Sequence, residues 1–431
     1  MFKLYILAIF LLLTILSCNT TEPTTSYSSM TLSVEDVSCT EVWIRIKTNN
    51  ISFPFYGLIK SDLLSINIKL ITSETILYIN SLSSSHQYNF QLNYGIIQSN
   101  KISVNTMDTT SHNITWQKFE FGGAIGSWLS DVAIIDENNI WAVGAVYLYD
   151  SLGNIDPNVY NAIHWDGNNW TVKRISTLNR GQYDATVLNA IVAFSSKDIW
   201  VSDGCPIHGD GTNWTLYQLW NMGVLGPNDG SSMCIWGTSS SDIYFAGNRG
   251  TMVHYNGINW EKLSSGTNSR IMGIYGSYDD KNNKEQILAV TNGAENQEIF
   301  SIDGNNVKNI PIYPIPPFYD FYSIWFSPNH HYYLAGSGIY EKNSLSDGVW
   351  RNGPLDITRK EITKIKANGL NDVFAVGAFG EVLHYNGVSW KSYLNESTGI
   401  DGSYTSLALK NNLIVIVGED QNKAIIQIGR R

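Results

Sequence analysis

From residue 116 onward, short apolar runs alternate with clusters of Gly, Asn, Asp and Ser, and helix-period runs are almost absent. This rhythm predicts strands joined by tight turns. Ile243–Trp260, IYFAGNRGTMVHYNGINW, holds the pattern in one piece: a strand, a Gly-bearing turn, a second strand, an Asn-Gly turn and a third strand opening at Trp. Asn-Gly between apolar runs predicts a two-residue hairpin loop with both residues at positive φ. The string returns as VFAVGAFGEVLHYNGVSW at Val373–Trp390. Ile140–Gly144 with Ile163–Trp170, and Ile199–Asp203 with Ile207–Trp214, are further copies, the first interrupted by the insertion Ala145–Asn161.

Aligning the second strand of each copy places starts at Ile140, Ile199, Ile243, Ile287, Tyr332, Val373 and Ile414. Apart from the insertion-bearing copy, the spacing is 41 to 45 residues, the range of four-stranded propeller blades. An inner strand precedes each: Leu129–Ile135, Leu188–Phe194, Met233–Trp236, Ile271–Tyr275, Tyr322–Phe326, Ile362–Lys366 and Tyr404–Leu409. The copy at Ile287 is degenerate, with Asp303-Gly304 at its turn and Val307 in place of Trp. The last copy ends after Ala424–Gly429 without a fourth strand, whereas Thr115–Phe119 reads as a fourth strand with nothing before it. One orphan then completes one incomplete blade and removes an open edge. The expected fold is all-β: a small sandwich, then a seven-bladed β-propeller over 116–431 closed by a shared N- and C-terminal blade.

Residues 28–108 predict seven short strands, Met30–Val34, Val42–Lys47, Tyr56–Ile59, Ile66–Ile71, Ile76–Ile79, Tyr88–Tyr94 and Lys101–Asn105, a sandwich pattern. Leu82–Tyr88 resembles the fibronectin type III corner, which makes Tyr88 structural, Trp43 the core Trp and His86 an exposed turn residue. The proline usual in that corner is absent. Residues 109–115 are a linker.

Lys3 and the apolar run Leu4–Leu16 form a signal peptide over 1–17, too short to span a membrane as a helix. Ile15-Leu16-Ser17-Cys18 resembles the bacterial lipobox, which implies lipid on Cys18, a tether over 18–27 and a membrane anchor. Asn19 lacks the aspartate of inner-membrane retention, so an exported lipoprotein of the bacterial outer membrane is expected, facing the periplasm or the surface. Of the remaining cysteines, Cys205 and Cys234 sit in adjacent repeats, and sequence leaves their pairing open. A net charge of −10 without a basic stripe excludes nucleic acid as a partner. His164, His208, His254 and His384 recur in H-x-[DN]-G-x-x-W, but equivalent positions on separate blades cannot converge on one ion. They are read as hydrogen-bonding residues within each blade, and Trp170, Trp214, Trp260, Trp350 and Trp390 as packing between blades. No metal or cofactor is expected, and the protein is expected to be a monomer.

These motifs resemble a group of bacterial lipoproteins without an assigned activity, which carry a fibronectin-like module and [DN]-[IV]-[WYF]-x-[VA]-G … H-[YW]-[DN]-G-x-x-W propeller repeats. Such proteins sometimes carry a glucosyltransferase label, but no D-x-D motif stands in this chain. The hairpin is similar to the sialidase Asp-box, S-x-D-x-G-x-x-W, with a shorter turn. A more distant likeness is to propeller assembly factors of photosynthetic membranes. Fold likeness implies no activity.

In a propeller the fourth-to-first and second-to-third connections share one face. Here these loops are long and aromatic, and the other face receives tight turns. The candidate binding face comprises Trp128, Tyr147, Tyr149, Tyr160, Arg180, Tyr183, Trp220, Arg270, Tyr313 and Tyr319. Aromatic rings with arginines suit a protein or glycan partner. The expected function is a non-enzymatic binding or scaffold role. A carbohydrate-active enzyme would need a pair of carboxylates from Asp150, Asp156, Asp184, Asp229 and Asp320. An envelope assembly or structural factor is the third class.

Overall fold

The computed structural model describes residues 27–431 except 125, 280–282, 294–296, 313–319, 346–348, 395 and 397–398. The signal segment, Cys18 and all of the tether but Tyr27 lie outside the described residues, as do Tyr313 and Tyr319. The chain forms two compact units. One holds the described residues up to Glu35 with Ile44–Leu77 and Tyr88–Val104; the other holds the described residues of Asp36–Trp43, Tyr78–Gln87 and Asn105–Arg431.

The strands before residue 106 build two sheets. Ser29–Val37, Val42–Asn49 and Glu74–Ile79 form one. Ser65–Leu70, Phe55–Lys60, Gln87–Tyr94 and Ile97–Gln98 form the other, with Ile102–Asn105 also paired to Gln87–Tyr94. Alternation works as expected in the first unit: Leu32, Ile44, Ile46, Phe55, Ile59, Phe90 and Leu92 are buried. Trp43 and Tyr88 are buried and His86 is exposed. The short strand Ile97–Gln98 is absent from the sequence reading. It arises because Gly95, at φ 56°, reverses the chain inside one apolar run and pairs Ile97 with Tyr94.

Among the described residues the second unit contains seven four-stranded antiparallel sheets, here sheets I to VII in chain order. Their first strands are Trp128–Asp136, Ala190–Ser195, Ser232–Ser239, Arg270–Asp279, Phe321–Ser327, Ile362–Gly369 and Ser403–Lys410. Each first strand lies against that of the next sheet, and the strand of sheet VII against that of sheet I, so the cycle closes. The second strands are buried on both faces, as at Asp372–Gly377 and His331–Gly336, which explains their continuous apolar runs. Apolar clusters fill the junctions between successive sheets; Val132, Ile140 and Ile163 of sheet I meet Val415, Val417 and Ile426 of sheet VII. The tryptophans pack as expected between sheets. Trp214 meets Trp141, Trp260 meets Trp200 and Trp390 meets Tyr333, each at about 6 Å between ring centroids.

Sheet VII takes its fourth strand from the front of the unit. Thr115–Phe121 pairs antiparallel with Lys423–Arg430, from Phe121 opposite Ala424 to Thr115 opposite Arg430. The match of that orphan run to the fourth strand of other copies had predicted this pairing.

The histidines also find their places. Cross-strand register sets Trp141 opposite His164, Trp200 opposite His208, Tyr244 opposite His254 and Phe374 opposite His384. Each imidazole stacks on that ring at 4.2 to 4.3 Å. Each also bonds the residue two positions before the ring: Asn139, Asp198, Asp242 and Asp372, at 2.8 to 3.1 Å. Sheet V holds the same pair reversed. His331 stands where the others have Asp or Asn, and Glu341, opposite Tyr333, stands where they have His, with 3.4 Å between His331 Nε2 and Glu341 Oε2.

The hairpin loops correct the sequence reading. The loop after Tyr255 is four residues long, since Tyr255 pairs with Trp260, and only Gly257 has positive φ. Asn256 instead uses its side chain: Oδ1 accepts from the backbone N–H of Ile258 at 3.0 Å and of Asn259 at 2.8 Å. Asp166, Asp210 and Asn386 do the same in their copies. A side chain that mimics a backbone turn removes the need for a second left-handed residue.

Candidate functional site

The antiparallel order places the second-to-third and fourth-to-first connections at the end where the first strands begin. At that end the first strands of all seven sheets surround a cavity of about 330 Å³. Trp128 and Asp131 come from sheet I, Ala190 from II, Met233 and Ile235 from III, and Arg270, Met272 and Ile274 from IV. Tyr322 comes from V, Thr363 and Lys364 from VI, and Thr405 from VII. A groove of about 490 Å³ at the opposite end is larger, but its lining, from Ile134–Glu137, Lys410–Leu413, Arg430 and Arg431, belongs to sheets I and VII alone.

The glycine of the [VA]-G motif shapes the cavity rim. Sheets I, III, V, VI and VII each carry a bulge near the start of the first strand, opposite Gly144, Gly247, Gly336, Gly377 and Gly418. A Cβ on any of the five would fall far inside contact distance of a backbone carbonyl of that bulge. Sheet II has Asp203 in the glycine's place and no bulge at the start of its first strand, whereas sheet IV has Thr291 there and keeps a bulge between Ile271 and Gly273. The bulge shifts the alternation by one residue. It thereby sets where the side chains that follow it point: Asp131, Cys234 and Lys364 reach the cavity lining, whereas Ser323 and Ser406 are buried against the neighbouring first strand.

Several of these side chains join the first strands into a belt. Asp131 accepts from Ile191 N at 3.1 Å, from Val132 N at 3.0 Å and from Ser406 Oγ at 2.6 Å. Thr405 Oγ1 donates to Leu129 O at 2.6 Å and Thr363 Oγ1 to Tyr404 O at 2.7 Å. Ser323 Oγ accepts from Ile365 N at 3.3 Å. Cys205 and Cys234 are free, buried thiols, and burial pushes them up to about 11 and about 12.

Lys366 follows Lys364 on the same face of its strand and is enclosed by the ring while still touched by solvent. Burial first, then the Lys364 ammonium, pushes it down to about 8, against an opposing pull from Asp131. The folded protein therefore disfavours its charged form. That cost is present in full below pH 8 and disappears as pH rises toward the unfolded value of 10.5. Lys366→Met is expected to stabilise the protein by about 1–3 kcal/mol at pH 7. Urea unfolding at pH 7 and at pH 9.5 checks it; the gain should shrink at the higher pH.

The sequence-predicted face residues fall into three groups. Trp128 and Arg270 line the cavity, and Tyr147 packs beside Trp128 at 6.5 Å. Tyr149 and Tyr183 stand out into solvent, 54% and 77% exposed; Tyr183 and the exposed Arg180 belong to a small hairpin, Thr177–Asn179 with Gln182–Asp184. Tyr160 and Trp220 serve their own loops. The Arg174 guanidinium lies 3.8 Å over the Tyr160 ring, and Trp220 Nε1 donates to Gly226 O at 3.0 Å over a cluster of Leu219, Leu225 and Val253. Among the candidate carboxylates, Asp150 caps a turn through Leu152 N and Asn154 N, Asp156 pairs with Arg174, and Asp229 pairs with Lys262 at 2.5 Å. The sequence reading did not single out Lys364 and Lys366: alternation puts them on one strand face without saying that this face turns to the cavity.

No protein-family model and no curated protein matches the chain. Among solved structures it is similar to YCF48 bound to a D1 peptide, at 14% identity and a TM-score of 0.54, over 75% of this chain and 99% of that one. It is also similar to YCF48 from Cyanidioschyzon merolae, at 14% identity and a TM-score of 0.51, over 72% and 98% of the two chains. Likeness at this identity establishes the fold: the repeats form a β-propeller.

Proposed function

We propose that the protein is a membrane-anchored, extracytoplasmic binding scaffold. In this reading a fibronectin type III-like module carries a seven-bladed propeller, and the face around the cavity captures a protein partner. The observation that carries it is the asymmetry of the two ends. At one end the third-to-fourth turns of sheets I, II, III and VI are four residues long and fixed by Asn or Asp, and that of sheet IV is two residues long. The other has long loops that expose Tyr149 and Tyr183 around a cavity to which every sheet contributes. Exposed aromatic rings beside arginine are the composition of binding hot spots. That YCF48, similar in fold, is seen bound to a peptide favours a protein over a glycan.

Tyr149→Ala with Tyr183→Ala is expected to weaken partner capture at least tenfold, about 1.4 kcal/mol, with an unchanged melting temperature. Capture on immobilised protein from a bacterial envelope extract measures it. Ile258→Glu with Val388→Glu, at exposed turns of the other end, is the control that should leave capture intact. Equal loss in the control, or full capture by the tyrosine variant, would overturn the assignment.

Anchoring through Cys18 carries its own expectation. Cys18→Ser should move the protein from the membrane to the soluble fraction, or leave it unprocessed with lower gel mobility. Wild-type mobility and full membrane retention in that variant would remove the lipid anchor from this reading.

A further inference from the structure

We propose that the cavity holds an anion site in which Lys364, Lys366 and Arg270 receive the carboxylates of an acidic peptide segment. This deepens the reading above and rests on it. Lys364 and Arg270 line the cavity, and Lys366 stands two residues along the same strand face as Lys364, enclosed by the ring. Among the described residues no hydrogen bond or ion pair joins Lys364 or Lys366 to a protein acceptor. Enclosed ammonium groups without partners are costly, and a fold keeps them where something external supplies the counter-charge.

The one carboxylate in the cavity lining does not meet that need. Both oxygens of Asp131 are committed to the belt, to Val132 N, Ser406 Oγ and Ile191 N. Glu361 stands at the rim beside Tyr322, outside the lining. Two cations, Arg270 and Lys364, thus line the cavity with one committed carboxylate, and Lys366 stands further along the Lys364 strand, in a chain whose net charge is −10. Low-dielectric walls around such a cluster focus its field on an incoming anion.

The walls favour a peptide over an acidic sugar. Met233, Met272, Ile235 and Ile274 present thioether and aliphatic surface, which adapts to peptide side chains. A sugar ring would need flat aromatic platforms and paired hydroxyl partners, and the lining offers only Trp128 and Tyr322 as aromatics.

The test uses fluorescein-labelled hexaglutamate, with hexaglutamine as the neutral counterpart and oligogalacturonate as the acidic glycan, read by fluorescence polarisation on the full chain. Hexaglutamate should bind at least tenfold more tightly than hexaglutamine, and salt should weaken it. Lys364→Gln with Lys366→Gln should abolish the difference, whereas Lys364→Arg with Lys366→Arg should retain it. Hexaglutamate binding no better than hexaglutamine to the wild type would overturn the site, as would undiminished binding in the glutamine variant. Oligogalacturonate binding as tightly as hexaglutamate would overturn the choice of a peptide. The tyrosine variants separate the two readings. If hexaglutamate fails while capture still depends on Tyr149 and Tyr183, the anion site falls and the scaffold stands. If capture ignores the tyrosines, the scaffold reading itself falls.

Discussion

A chain lacking Ile114–Phe121 is expected to lose its folded monomer. Seven residue pairs tie Thr115–Phe121 to Lys423–Arg430, and their loss leaves the Lys423–Arg430 edge with a row of open backbone groups. The damage extends beyond one ladder. Phe119 and Phe121 pack against Trp170 of sheet I, and Trp116 against Tyr393 of sheet VI. One deletion thus opens the junctions of sheet VII with both neighbours. These three rings are half-buried, so each costs less than the about 3–5 kcal/mol of a deeply buried aromatic, and together their removal costs several kcal/mol. Size-exclusion chromatography and thermal melting check this: the deleted chain should elute as aggregate without a transition at the wild-type midpoint. A monomeric variant with the wild-type midpoint would mean that the ring does not depend on this strand.

Gly377→Ala is expected to be among the most damaging substitutions of a small residue, at about 3 kcal/mol or more. Its new Cβ would meet the Glu361 carbonyl oxygen, a backbone atom with no rotamer to escape through. Relief requires undoing the bulge between Ile362 and Lys364. That would return the strand to simple alternation and turn Lys364 away from the cavity. The substitution should therefore lower stability and, in whatever fraction stays folded, weaken hexaglutamate binding. Gly304→Ala, at a turn with open space around it, should cost less despite its φ of 56°. Urea midpoints of the two variants give the comparison; equal costs would show that the bulge is not fixed by the glycine.

Much of this architecture was legible because the repeat multiplies weak signals. One strand-like run is ambiguous, but seven at near-constant spacing set the sheets, and the orphan at Thr115 identified the closing strand. The histidines were legible for a related reason, since residues copied at equivalent places of separate sheets cannot converge on one ion. What escaped the sequence depends on backbone detail. Asn256 and Gly257 read as a two-residue turn because the pattern does not show that the Asn side chain closes a wider loop. The motif H-x-[DN]-G-x-x-W fixes which strand carries the histidine, so His331 and Glu341, a reversed copy of the His–Asp pair, do not fit it. The lysines escaped because a bulge, visible only as a glycine on the neighbouring strand, decides the direction of Lys364. Tyr160 and Trp220, read as binding residues from composition, also hold their own loops.

The measurement that bears most directly on the capture of a partner at the cavity end is site-specific photo-crosslinking. A benzoylphenylalanine at position 183 stands on the cavity face, and one at position 258, where Ile258 is 83% exposed, stands at a turn of the opposite end. The account predicts a crosslinked partner peptide from position 183, competed by unlabelled partner, and none from position 258. Crosslinks from position 258 alone, or equally from both, would contradict it.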